Sequence, residues 1–180
     1  MLRPLLFAAV AASAIPAHAE TWHFQYRGFY DSVNETFLPD RELTGSFVGH
    51  DSNGDGTLVL DEISSFMLNN FDFVDCRNLG NPYYKCGMDG FTYSDGALYF
   101  TAGISSTDPE GLVGGGHYFT TGDREYRYEY TPNHIREWEY RWTDQTRLTI
   151  SPAPEPSTWA LLLAGVPLTV LAVRSRRKRD

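Results

Sequence analysis

The chain has 180 residues with 23 acidic against 15 basic side chains, a net charge of −8, and 14% of it is aromatic. That aromatic content is enough for a packed core, so wholesale disorder is excluded. Between Glu20 and Ala153 the balance is 21 acidic to 9 basic residues, a net charge near −12, which repels nucleic acid phosphates and anionic lipid.

The chain opens as a secretory signal. Arg3 supplies a positive start, Leu5 to Ile15 form a short apolar stretch, and Ala17-His18-Ala19 gives a small-x-small cleavage site before the polar Glu20-Thr21. Cleavage by signal peptidase between Ala19 and Glu20 is expected, making residues 1–19 a signal peptide and 20–150 an extracytoplasmic domain.

The body reads as strands. Trp22, Phe24 and Tyr26 alternate with His23, Gln25 and Arg27, the period of a half-buried strand. Leu43 to Val48 and Phe71 to Val74 are further short runs. Phe91 to Tyr93 and Ala97 to Phe100 flank Ser94-Asp95-Gly96, a hairpin signal. Tyr126, Tyr128 and Tyr130 alternate with charged residues, as do Trp138, Tyr140 and Trp142, with Thr131-Pro132-Asn133 as the break between them. Arg147 to Ser151 is a last β-branched run. One short helix is predicted over Asp61 to Leu68, where Ile63, Phe66 and Met67 are spaced for one face. The expectation is an all-β single domain, a sandwich or barrel with one short helix.

Three features bear on chemistry. Asp51 to Glu62 matches the twelve-residue calcium loop D-x-[DN]-x-[DN]-G-x5-E. Asp51, Asn53 and Asp55 would offer side-chain oxygens, Thr57 its carbonyl, and Glu62 a bidentate carboxylate, with Gly56 at the sharp turn. The loop resembles that of an EF-hand, although Leu43 to Gly49, with its two glycines, does not read as an entering helix. The alternative is an ion-free Asn-Gly-Asp-Gly turn. Cys76 and Cys86, the only cysteines, flank Gly80-Asn81-Pro82, and a disulfide is expected in an oxidising compartment; two thiols alone do not complete a zinc site. The paired aromatic stripes read as the buried face of a sandwich, with a flat platform for sugar rings as the alternative. His23, His50, His117 and His134 are scattered, and Val113 to His117 reads as a glycine turn, so the body is expected to be non-enzymatic.

The far end is the most specific segment. Pro152-Ala153-Pro154-Glu155-Pro156-Ser157-Thr158 leads into the apolar run Trp159 to Val173, followed by Arg174 to Asp180, which holds five cations. Fifteen residues of helix span roughly 22 Å against roughly 30 Å of hydrocarbon, a short crossing helped by Trp159 and by snorkelling arginines. The basic end stays cytoplasmic by the positive-inside rule. A Pro-Glu-Pro segment, a short apolar helix and an arginine-rich end resemble the PEP-CTERM sorting tail of Gram-negative bacteria, a tail that also carries the label "ice-binding protein C-terminal". The resemblance covers roughly the last 28 residues. It implies an exosortase partner acting near Pro154, Glu155 and Pro156, a sorting tail over 151–180 with its transmembrane helix at 159–173 and basic end at 174–180, and anchoring in the inner membrane before release to the cell surface or biofilm matrix. The function expected is therefore an exported envelope protein, with a calcium-dependent exopolysaccharide-binding module as the alternative and no nucleic acid partner.

Overall fold

The computed structural model describes residues 19–153. The signal segment up to His18, the Pro154–Glu155–Pro156 motif, the apolar run 159–173 and the basic end lie outside the described residues. Among the described residues no helix is long and apolar enough to cross a membrane.

Eleven strands form one antiparallel sheet. They are β1 (Glu20–Asp31), β2 (Thr36–Gly49), β3 (Thr57–Val59), β4 (Ile63–Leu68), β5 (Phe71–Asp72), β6 (Tyr84–Ser94), β7 (Ala97–Thr107), β8 (Gly114–Thr120), β9 (Arg124–Thr131), β10 (His134–Arg141) and β11 (Arg147–Pro152). The path runs β3-β6-β7-β8-β9-β10-β1-β2-β4-β5, with β11 beside β1. The seam is β1. Its residues Trp22 to Arg27 pair with β11, while Tyr30 and Asp31 pair with Arg141 and Tyr140 of β10. β10 and β11 thus lie end to end along one strand, with residues 142–146 between them. The sheet curls into a half-barrel.

The curl brings β1, β2 and β4 over β6 and β7. Phe24, Phe47, Phe66, Phe91 and Phe100 are all buried there. Ring centroids lie 4.8 Å apart for Phe66 and Phe100 and 5.0 Å for Phe47 and Phe91. Each buried ring contributes about 2–3 kcal/mol against exposure. Gly45 is needed at the centre, because a Cβ there would sit 2.5 Å from Cζ of Phe24. Tyr26 closes the core from one side, its hydroxyl donating to the Leu98 carbonyl at 2.6 Å.

Local chemistry ends the strands. The β6–β7 hairpin turns at Asp95 and Gly96, both with positive φ, +50° and +78°, the conformation a two-residue hairpin requires. Asn69 and Asn70 do the same between β4 and β5, with φ of +49° and +65°. Asp31 caps the β1–β2 turn by accepting the Val33 and Asn34 amides.

Three sequence expectations are corrected. Asp61 to Leu68 is not a helix: a single 3-10 turn covers Leu60–Glu62 and Ile63–Leu68 is strand β4. The pairs Val48↔Ser65 and Gly49↔Ile63 leave Ser64 as an extra residue. That bulge puts Ile63 and Phe66 on one face at helical spacing, while Phe66 and Leu68 keep the period of two. Phe71 to Val74 is strand only over its first two residues, because the Asp72 carboxylate accepts the Val74 and Asp75 amides and turns the chain. Gly114 to Gly116 is no turn. It is the start of β8, fully paired with β7 and β9.

Candidate functional site

The loop between β2 and β3 carries the calcium-type sequence. Gly54 and Gly56 both take positive φ, +74° and +79°, so the sharp turn expected at Gly56 is present. Asp51 is held by the loop's own backbone: Gly54 and Gly56 donate to its two carboxylate oxygens at 2.7 and 2.8 Å. Asp55 accepts the Thr57 amide at 2.8 Å, and Asn53 accepts the Asp55 amide at 2.9 Å. Glu62 reaches back across the loop, accepting both the amide and the hydroxyl of Ser52 through Oε1. The Gly56 amide holds the Asp51 carboxyl below the usual carboxylate range, and the Ser52 hydroxyl does the same for Glu62. Both are therefore anionic at neutral pH. Among the described residues no three carboxylate, histidine or cysteine side chains converge on one point. Asp51, Asn53, Asp55, Thr57 and Glu62 share one exposed loop but are turned onto its amides rather than gathered as a cage. Thr57 begins β3, where its hydroxyl lies 3.3 Å from that of Ser94.

Beside this loop lies a cavity of about 510 Å³, lined by Glu20, Trp22, His50, Asp51, Leu58 and Tyr93 among others. Trp22 and Tyr93 meet at 4.9 Å between centroids.

Cys76 and Cys86 are joined as expected, their Cα atoms 5.6 Å apart. The bond ties the 3-10 turn Asp75–Asn78 to β6, anchoring a segment that has little sheet pairing of its own.

The two aromatic stripes part company. β9 pairs with β10 so that Trp138 stands opposite Arg127 and Tyr140 opposite Glu125, while Tyr126 and Tyr128 stand opposite Glu139 and Glu137. Directly paired residues share a face, so the tyrosines and the tryptophan stripe lie on opposite faces and cannot form one platform. Two members of the inner stripe, Tyr140 and Trp142, pack against the core, Trp142 on Phe29 at 4.8 Å and Tyr26 at 5.4 Å. Trp138 instead lies outside the core cluster and under the Arg127 guanidinium, which is 5.0 Å from its ring centre. The tyrosine stripe does not join the core, and none of its three rings belongs to the core cluster. It has a fourth member from β8, Tyr118, which pairs with Tyr126 and which the sequence reading missed. The signal was there: Gly114, Gly116 and Tyr118 keep a period of two.

On the inner face a polar cluster was also missed. Glu125 is 5% exposed and accepts from Arg41 Nη2 and His117 Nε2, each at 2.8 Å. Burial pushes its pKa up, but the His117 hydrogen bond and the Arg41 charge outweigh burial and leave it below the usual range. The Arg41 guanidinium also sits 3.3 Å above the Tyr140 ring centre. The cluster joins β2 to β8, β9 and β10 across the half-barrel. No local sequence pattern marks it, because Arg41 and Glu125 are 84 residues apart. His23, His50 and His134 remain exposed and apart from it.

No family model, curated protein or solved structure matches the chain.

Proposed function

We propose that this chain is an exported envelope protein, cleaved by signal peptidase after Ala19 and sorted through its C-terminal tail by an exosortase-type enzyme to the cell surface or biofilm matrix. In this reading the body is non-enzymatic. The supporting observation is the meeting of the domain's two ends. β1 opens at Glu20, the first residue that signal cleavage would leave. Its start pairs with the end of β11, Trp22 opposite Pro152, and the Ala153 amide donates to the Thr21 carbonyl at 2.7 Å. Glu20 and Ala153, the described residues next to the two proposed cuts, therefore lie at one end of the β1–β11 pair, and neither cut removes any of the described strands. The disulfide suits an oxidising compartment. The test is the intact mass of the surface form, expected to start at Glu20 and to end near Pro154–Glu155–Pro156. A surface form still carrying Arg174 to Arg179 would sink the sorting step.

The loop at Asp51 to Glu62 favours a second reading, a calcium-dependent polysaccharide-binding module. Asp51, Asn53, Asp55, the Thr57 carbonyl and Glu62 would hold the ion, Asp51 and Glu62 exchanging their amide partners for it. The ion would supply charge neutralisation and rigidity to the loop. Affinity should be weak, roughly 10⁻⁴ to 10⁻³ M as in extracellular modules. Because the ion would bind only the folded loop, calcium at ten times the dissociation constant should stabilise by about 1.4 kcal/mol, raising the melting temperature by roughly 3 to 5 °C. Glu62→Gln should abolish most of that rise, and magnesium should give little of it. Equal midpoints in chelator, calcium and magnesium would return the loop to a plain turn.

A further inference from the structure

The outer face of β8 and β9 carries four tyrosines that folding does not account for. Tyr118, Tyr126, Tyr128 and Tyr130 share this face by register. Three of the rings run nearly parallel: Tyr118 and Tyr128 are 6.4 Å apart and inclined by 9°, Tyr128 and Tyr130 are 6.3 Å apart and inclined by 13°. Tyr126 sits 5.8 Å from Tyr128 and is tilted by 30° to it. The rings lie down over glycines of the neighbouring strands. A Cβ on Gly103 would stand 2.5 Å from Cδ1 of Tyr118, and one on Gly114 would stand 2.6 Å from the Tyr130 hydroxyl. One on Gly116 would stand 2.6 Å from Tyr118 and 2.8 Å from Tyr128. No side chain other than glycine's lets the rings rest there.

Each glycine inside a strand costs roughly 0.5–1 kcal/mol in chain entropy. Burial offsets that cost only in part. Tyr118 is 39% exposed, Tyr126, Tyr128 and Tyr130 are half-buried, none of the four rings is in the core cluster, and among the described residues the main neighbours of β9 are β8 and β10 in its own sheet. The arrangement keeps a row of aromatic rings reachable from solvent.

The surroundings of the row define what it takes. Tyr126 donates to Glu137 at 2.7 Å, and the Tyr130 hydroxyl lies 2.8 Å from that of Thr107. Thr101, Ser105 and Thr107 of β7 fall on the same face by register. A ligand suited to this face has apolar C–H surfaces to stack on rings and hydroxyl groups to exchange hydrogen bonds with hydroxyls and a carboxylate. Pyranose rings have both. Its charge is constrained as well: on this face Glu137 and Glu139 are matched by Arg124, which lies over Tyr126, and Arg141, leaving no excess of cations for an anionic chain, and the net charge near −12 over residues 20–153 repels one at longer range. That disfavours nucleic acid, whose bases also stack on aromatic rings but whose phosphates need a basic groove.

We propose that the tyrosine row on the outer face of β8 and β9 is a binding site for a neutral, extended polysaccharide chain, with sugar rings stacked on Tyr118, Tyr126, Tyr128 and Tyr130. The site stands on geometry independent of the export reading and of the calcium loop.

The test is affinity electrophoresis of the exported protein in native gels containing hydroxyethylcellulose or galactomannan as neutral probes and alginate as an acidic one, without added calcium. Retardation by at least one neutral polymer and none by alginate is expected. Tyr118→Ala and Tyr128→Ala should each weaken retention by about tenfold, while Tyr128→Phe, which keeps the ring, should retain most of it. All three variants should stay folded and melt within a few degrees of the wild type, since these rings are outside the core cluster. Migration unaffected by both neutral polymers would overturn the proposal. So would retention that survives both alanine variants, or a sedimentation dimer that those variants dissolve, which would make the row a contact between copies of the chain. Failure here would leave the export reading intact, because the mass of the surface form decides that separately.

Discussion

Replacing Glu125 by glutamine keeps the side chain's size and removes one of the two carboxylates buried among the described residues, Asp31 being the other. In the native fold Glu125 holds Arg41 and His117, each at 2.8 Å. At an effective dielectric of about 20 the attraction at that distance is about 6 kcal/mol, most of which offsets the desolvation of the groups. Breaking a buried pair by removing one partner costs about 3–5 kcal/mol. Arg41 and His117 keep 28% and 23% of their side-chain surface exposed, so water answers part of the loss and about 2–3 kcal/mol is expected. For a domain of this size that is a fall of roughly 8 to 12 °C in melting temperature at neutral pH. The pH dependence gives a second handle. Glu125 titrates below its ordinary value of 4.5 in the fold, so its contribution is complete above that value and disappears as pH falls through the lower folded one. The gap between wild type and Glu125→Gln should therefore persist from neutral pH down to about 5 and close in stronger acid. Differential scanning calorimetry across that range decides it. Melting within 2 °C of wild type at neutral pH, or a gap undiminished once every carboxylate is protonated, would refute the view that this cluster ties β2 to β8 and β9.

Removing the disulfide by Cys76→Ser with Cys86→Ser should cost about 2.5 kcal/mol, the entropy of closing a short loop; unchanged melting under reduction would contradict it. Phe66→Ala opens a cavity at a ring that is 0% exposed and should cost about 3–5 kcal/mol, read as a large fall in the urea midpoint. Tyr26→Phe leaves the Leu98 carbonyl without its buried donor and should cost about 1–2 kcal/mol with no change in circular dichroism.

Much of the strand pattern is legible in the chain itself, because alternation and turn chemistry act over a few residues. Trp22, Phe24 and Tyr26 lie in a strand, Asp95-Gly96 make a hairpin, and the two cysteines meet across the turn between them. The calcium-type loop is likewise a local pattern, and its backbone follows it at Gly56. What local reading misplaced depended on partners. Ile63 and Phe66 imitate a helix because a bulge at Ser64 forms against Val48 and Gly49, residues more than a dozen positions earlier. The tyrosine and tryptophan stripes look like one surface until the two-residue turn at Pro132 and Asn133 sets the β9–β10 register and sends them to opposite faces. Which face turns inward is decided by the curl at β1, where β10 and β11 share one partner. That bend packs Trp142 against the core, brings Arg41 to Glu125, and leaves Tyr118, Tyr126, Tyr128 and Tyr130 on the outer face. Short-range alternation specifies that a strand has two faces; only the closure of the sheet over its phenylalanine core determines which one meets water.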